Sequence, residues 1–306
     1  MPMDRRTFLT GSAAAIALAA CGTSSPSQSA ISAAPVGALQ VAQLFSSNRV
    51  IGATANQRLA FALIGDDGPL RGDDADASVQ LLDANGTVID ETTVRARVAT
   101  HTHVGPTSHD HPDGFRYYAP RLEFQTPGAH RLFIESPEGQ GELSVHAFAE
   151  SELLLPGPGA PFPSLVTPTV ANAAGVDTLC TRTPDCLFHS ISADAALTTG
   201  APFVVLIATP AYCQTQLCGP VLEVLIEAAP SIATIHVEVW ANPAAVDGNI
   251  ADAAIRPAPV IVDLGHTFEP VLFVVGADGV IRERLDNLFD SEELTAALAM
   301  ADELPT

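Results

Sequence analysis

Phe203-Val204-Val205-Leu206-Ile207-Ala208-Thr209-Pro210-Ala211-Tyr212-Cys213-Gln214-Thr215-Gln216-Leu217-Cys218-Gly219-Pro220 is the stretch on which the fold turns. Residues 203–208 are a continuous apolar run closed by Thr209-Pro210, the pattern of a strand covered on both faces. After Gly219-Pro220 the apolar residues Val221, Leu222, Val224, Leu225 and Ala228 recur at helical spacing until Pro230 stops them. Two thiols therefore sit where a buried strand gives way to a helix. The free N–H groups and dipole of a helix N-terminus favour a thiolate over a thiol.

Outward from this stretch, residues 235–239 predict a second strand. Residues 271–275 and 280–285 predict a hairpin around Gly276-Ala277-Asp278-Gly279. A closing amphipathic helix is predicted over 291–301, capped by Asp290 or Ser291. Toward the N-terminus, residues 38–150 alternate short apolar runs with turn signals, an all-β rhythm that reads as an immunoglobulin-like β-sandwich. Hairpins are predicted around Asp83-Ala84-Asn85-Gly86-Thr87 and around Thr126-Pro127-Gly128, the latter joining residues 117–124 to 130–135. Residues 151–176 carry five prolines and few charges, and read as an extended linker. The fold class expected is α+β in two domains, a sandwich followed by an α/β domain over 177–306.

The extreme N-terminus has the three parts of an export signal. Arg5-Arg6 precedes a small apolar run, too short to span a bilayer, and Leu18-Ala19-Ala20-Cys21 follows. It resembles twin-arginine lipoprotein signals. That resemblance implies removal of residues 1–20, lipid on Cys21, a tether over 21–37, and residence on the extracytoplasmic face of the cell membrane. The chain holds 35 acidic residues against 14 arginines and no lysine, and its net charge of −21 argues against nucleic acid or anionic lipid as a partner. Five cysteines with one carrying lipid leave four, in a compartment that permits disulfides.

The strand ending before Cys213, the Gly219-Pro220 at the helix start and the Glu269-Pro270 pair ahead of the strand at 271 resemble the thioredoxin superfamily over roughly residues 177–304. The match is closer to the bacterial lipoproteins known only as thioredoxin-domain proteins. The resemblance implies a cis-proline at Pro270 and a substrate groove formed by Glu269, Pro270, Pro210 and Tyr212 beside Cys213. It also implies a thiol-disulfide oxidoreductase with no cofactor, whose partner is a protein thiol or disulfide. The family spaces its cysteines by two residues, and this chain by four.

Residues five apart in a regular helix are separated by about 7.5 Å of rise and roughly 140° of rotation, too far for a disulfide. Either Cys213 lies in the loop before the helix, or oxidation unwinds the first turn. The same four-residue spacing occurs in Q-type peroxiredoxins, which gives a thiol peroxidase as the alternative, although Thr209 stands one residue earlier than that family's threonine. A redox-inactive binding or metallochaperone lipoprotein is the further alternative. Cys180 and Cys186 enclose a polar loop and read as a structural disulfide, with other pairings open. His101, His103, His109 and His111 cluster in one loop as candidate metal ligands against the plainer reading of a solvated loop, and His266 reads as a surface histidine.

Overall fold

The computed structural model describes residues 37–302 apart from Ser47, residues 103–109, residues 214–216 and Thr267, with backbone alone at 100–102 and 110–113. The residues expected to form an export signal, Cys21 and the expected tether up to residue 36 lie outside the described residues, as do His103 and His109. No helix among the described residues is long and apolar enough to cross a membrane. The protein is mixed α+β.

Among the described residues the N-terminal part contains eleven strands: β1 (Gln40–Gln43), β2 (Gln57–Arg58), β3 (Phe61–Gly65), β4 (Gly68–Pro69), β5 (Ala77–Leu82), β6 (Val88–Val94), β7 (Arg97–Thr102), β8 (Asp110–Tyr117), β9 (Arg121–Leu122), β10 (Gly128–Ser136) and β11 (Gly139–Ala147). They pair as β11-β10-β5-β6, β1-β3-β4, β2-β9 and β7-β8. Along β5 the alternation of Ala77, Val79 and Leu81 with polar neighbours puts one face into a core with Leu59, Phe61, Leu63, Leu132 and Ile134. The hairpin expected at 83–87 is present. Asp83 accepts from the N–H groups of Thr87 (2.8 Å) and Asn85 (2.9 Å), and these bonds hold its carboxyl below the usual range.

The hairpin expected at 126–128 is not formed. β9 pairs with Gln57–Arg58, while β10 pairs with β11 in an unbroken register from Gly128↔Ala147 to Ser136↔Gly139. The Pro137-Glu138 turn closes that ladder. Gly139 there has φ +153°, and the Gly37 carbonyl lies so close that no Cβ fits. The long β10–β11 ladder outweighs the short pairing that β9 could offer.

In the C-terminal part, α1 (Ala193–Thr198) precedes β12 (Phe203–Ile207), α2 (Cys218–Ala228), β13 (Ala233–Val237), α3 (Pro259–Leu264), β14 (Val271–Val275), β15 (Ile281–Asp286) and α4 (Ser291–Ala299). The sheet order is β13-β12-β14-β15, with β12 parallel to β13 through α2 and antiparallel to β14. Every residue of β12 is buried, because both faces are covered. Phe203, Val205 and Ile207 meet Ile235, Val237 and Phe273, while Val204 and Leu206 meet Val221, Leu222 and Leu225 of α2 and Leu294 of α4. Asp290 caps α4 by accepting from the Glu293 N–H at 2.8 Å.

The proline-rich segment is irregular, yet it is packed. Phe162 makes edge contacts with Phe203 and Phe273 at ring-centroid distances of 5.6 and 5.5 Å, and Leu155 and Leu165 are buried beside it. The described residues fall within one compact unit. The seam between its β-rich and α/β parts is ionic as well as apolar. Arg58 donates to both Glu293 oxygens (2.7 and 3.0 Å) and to the Asp286 and Leu288 carbonyls. The Tyr117 hydroxyl donates to Glu293 at 2.8 Å, and Arg284 reaches the Val50 carbonyl at 2.6 Å. Burial pulls the Arg58 guanidinium down, but Glu293 more than offsets it and holds the group charged. Phe268 packs against the cores of both parts.

Candidate functional site

β12 delivers the chain to Ala208, whose N–H bonds the Val237 carbonyl at 2.9 Å, and a loop then leads to α2. Cys213 lies in that loop, half-buried, and Cys218 is the first residue of α2 and has no exposed surface. The two are joined as a disulfide with Cα atoms 5.9 Å apart. Of the two geometries open from the spacing, the first is realised: the cysteine pair closes across the helix entrance and α2 stays intact. The Cys218 N–H points at the Cys213 sulfur at 3.3 Å, so the helix N-terminus acts on the more accessible of the two sulfurs.

Glu269 and Pro270 immediately precede β14 and are buried, and their peptide bond is cis. The Glu269 carboxyl lies within 4.8 Å of both sulfurs. Burial raises it to about 8, against the opposing hydrogen bonds from Thr209. The protonated acid is thus the resting form beneath the disulfide at neutral pH. Pro210 and Tyr212 are half-buried on the loop, and the Tyr212 ring rests on the Gly248 backbone. The Thr209 hydroxyl accepts from the Val239 N–H at 3.0 Å and is fully buried.

The raised Glu269 pKa has a signed consequence for stability. Below about pH 4.5 the carboxyl is protonated in folded and unfolded chains alike, and its contribution is fully present. Between about 4.5 and 8 the unfolded chain ionises first, so stability falls as the pH rises, by on the order of 1.4 kcal/mol for each pH unit crossed. Urea unfolding of the oxidised protein across that window should show a slope that Glu269→Gln reduces, the remainder coming from groups such as the buried Glu238. Equal slopes in the two proteins would contradict this account of the carboxyl.

A second cluster lies beside the first. Cys180, Cys186 and His189 come from the loop ahead of α1, and His236 comes from β13. In place of the expected disulfide, Cys180 and Cys186 are free thiols with sulfurs 3.8 Å apart. The His236 Nδ1 stands 3.6 Å from the Cys180 sulfur and 3.4 Å from that of Cys186, and the His189 Nε2 stands 3.3 Å from Cys186. All four side chains are buried and their ligand atoms lie within 4.8 Å of one another. Hydrogen bonding between the sulfurs pulls Cys180 toward the thiolate and pushes Cys186 up. The loop is tied to the sheet edge by the His236 N–H bonding the Phe188 carbonyl at 2.9 Å.

Thr181 joins the two clusters. Its N–H and hydroxyl donate to Glu238 at 2.6 and 3.2 Å, and its oxygen accepts from the Ala211 N–H at 3.1 Å, two residues before Cys213. Burial keeps the Glu238 carboxyl well above the usual range. His236 was not singled out from the sequence. Its signal was nevertheless present, because Thr234, His236 and Glu238 are polar at alternate positions of an otherwise apolar strand and share one face. The compact spacing of Cys180, Cys186 and His189 was the companion signal.

The other candidates fall elsewhere. The backbones of His101 and His111 are paired across β7 and β8, while His103 and His109 are outside the described residues. His266 is buried, not superficial. It lies against Phe268 at 4.8 Å between ring centroids, and burial together with the Arg284 charge lowers it to about 3.

No family model matches this chain. No curated protein matches it either. Among solved structures the chain is similar to one described as "ZirS C-terminal Domain", at 9% identity over 48% of this chain and 92% of that one, with a TM-score of 0.19. At that score the likeness carries no argument about fold or function, which rest on the residues themselves.

Proposed function

We propose that this chain is a thioredoxin-like thiol-disulfide oxidoreductase held by lipid on Cys21 at the extracytoplasmic face of the cell membrane, with Cys213 and Cys218 as its redox pair and the immunoglobulin-like part as its platform. The observation that carries the reading is a joined pair of unequal sulfurs at a helix entrance, one reachable and one fully buried, with a neutral carboxyl beneath them. In the reducing direction the Cys213 thiolate attacks a substrate disulfide. A mixed disulfide forms and one substrate sulfur leaves as thiolate. Cys218 then attacks the Cys213 sulfur, closing the protein disulfide and releasing the second substrate thiol, so two electrons pass to the substrate. When the protein disulfide is opened again, the protonated Glu269 is placed to give its proton to the Cys218 sulfur as that sulfur leaves as thiolate.

The peroxidase alternative requires a threonine hydroxyl turned to the peroxide beside the first cysteine. The Thr209 hydroxyl is buried and engaged by the Val239 N–H, which favours the oxidoreductase. The test is equilibration of the full chain with glutathione buffers, read by differential alkylation of Cys213 and Cys218. A pair that exchanges within minutes supports the proposal. One that stays closed below about −300 mV is a structural disulfide and refutes it.

A further inference from the structure

We propose that Cys180, Cys186, His189 and His236 form a tetrahedral zinc site that fastens the 180–189 loop to the edge strand β13. The inference stands independently of the oxidoreductase reading. A tetrahedral zinc ion with bonds of about 2.3 Å to sulfur and about 2.0–2.1 Å to nitrogen sets its sulfurs about 3.8 Å apart and each sulfur about 3.5 Å from each nitrogen. The sulfurs are 3.8 Å apart, and three of the four sulfur-to-nitrogen distances are 3.3, 3.4 and 3.6 Å. They match four of the six edges of such a tetrahedron, and all four ligand atoms lie within 4.8 Å of one another. A disulfide would draw the sulfurs to about 2.05 Å and leave both imidazoles without a reason to converge.

The surroundings agree with ligation. The His236 Nε2 faces the Ala208 carbonyl at 2.9 Å, which places the ring proton on that side and turns the Nδ1 lone pair toward both sulfurs. The His189 Nε2 is the ring nitrogen turned to the cluster, 3.3 Å from the Cys186 sulfur. Two thiolates neutralise a divalent cation, so the loaded site carries no net charge into the interior, and Glu238 two residues along the same strand face does not have to be balanced by it. Two sulfur and two nitrogen donors, closed on all sides by protein, are the donor set of a structural zinc site, not a catalytic one with an open position.

The ion would have a reach beyond its own loop. Thr181 directly follows the ligand Cys180 and bonds both Glu238 and the Ala211 N–H, so the metal would hold the loop that presents Cys213. It would also keep two thiols out of exchange with Cys213 and Cys218 in an oxidising compartment.

The experiment is metal analysis of the full chain purified in detergent without added metal, followed by exchange with cobalt(II). The expected result is one zinc ion per chain. Cobalt should give the absorption of a tetrahedral thiolate complex, and Cys180 and Cys186 should react with a thiol reagent only after a chelator is added. Cys186→Ser should lose the ion on dialysis while keeping the Cys213–Cys218 disulfide. The cobalt spectrum of the unaltered protein decides the matter even if that variant fails to fold. A Cys180–Cys186 disulfide in peptide maps, a chain that retains copper(I) in preference to zinc, or zinc content unchanged by Cys186→Ser would each overturn the proposal.

Discussion

Cys213→Ser should abolish disulfide exchange, by on the order of 10³-fold or more, whereas Cys218→Ser should keep the first step and accumulate a mixed disulfide with the substrate. The asymmetry follows from accessibility. Cys213 is half-buried in the loop and receives the Cys218 N–H, so on the proposed function it is the sulfur that a substrate would reach and that the helix N-terminus would stabilise as thiolate. A serine hydroxyl at that place remains protonated at neutral pH and cannot attack a disulfide. Cys218 has no exposed surface, so on the proposed function its part would be intramolecular. Removing it leaves the substrate sulfur attached to Cys213 with no internal thiol to displace it. Trapping experiments with a model disulfide, read by mass spectrometry, would show adduct on Cys213 alone. Adduct on Cys218 in the Cys213→Ser protein, or equal turnover in both variants, would reverse the assignment.

Arg58→Ala should destabilise the folded unit by about 3–5 kcal/mol, the effect expected when one partner of a buried ion pair is removed. The Arg58 and Glu293 side chains are 4% and 9% exposed, and they sit at the seam between the β-rich and α/β parts. Truncation would leave the Glu293 carboxylate with the Tyr117 hydroxyl and the more distant Arg97 charge, and it would also take a donor from the Asp286 and Leu288 carbonyls. The paired change Arg58→Met with Glu293→Gln should cost less than the sum of the single changes, because no charge is then left alone in the interior. Urea unfolding of the four proteins measures the coupling. Additive effects, or a loss below about 1 kcal/mol for Arg58→Ala, would show that the pair is solvated and does not join the two parts.

Much of the site was legible because its signals are local. The apolar run at 203–207, the proline and glycine around it and the amphipathic spacing after Cys218 act within one or two turns of chain, and a strand-to-helix junction carrying both cysteines followed from them. The helical geometry that forbids a disulfide five residues apart narrowed the arrangement to two, and packing chose between them. The 83–87 hairpin was legible for the same reason, since Asp83 and Gly86 satisfy the turn by themselves. The Pro137-Glu138 turn is just as local, but the Pro-Gly pair at 127–128 is the louder turn signal in the sequence, and only the β10–β11 ladder shows which of the two reverses the chain.

What composition, periodicity and turn chemistry determined was the mixed α+β character, the two kinds of region, and the place of the Cys213–Cys218 pair. What only the tertiary structure decided was which distant groups meet. His236 joins Cys180 across 56 positions and Arg58 joins Glu293 across 235, while the proline-rich segment lies down on the sheet as part of the core. The physical reason is that burial of a polar or charged side chain is tolerated only beside a complementary one, and a linear pattern shows that a residue needs such a partner without showing which distant segment the folded chain will bring to it.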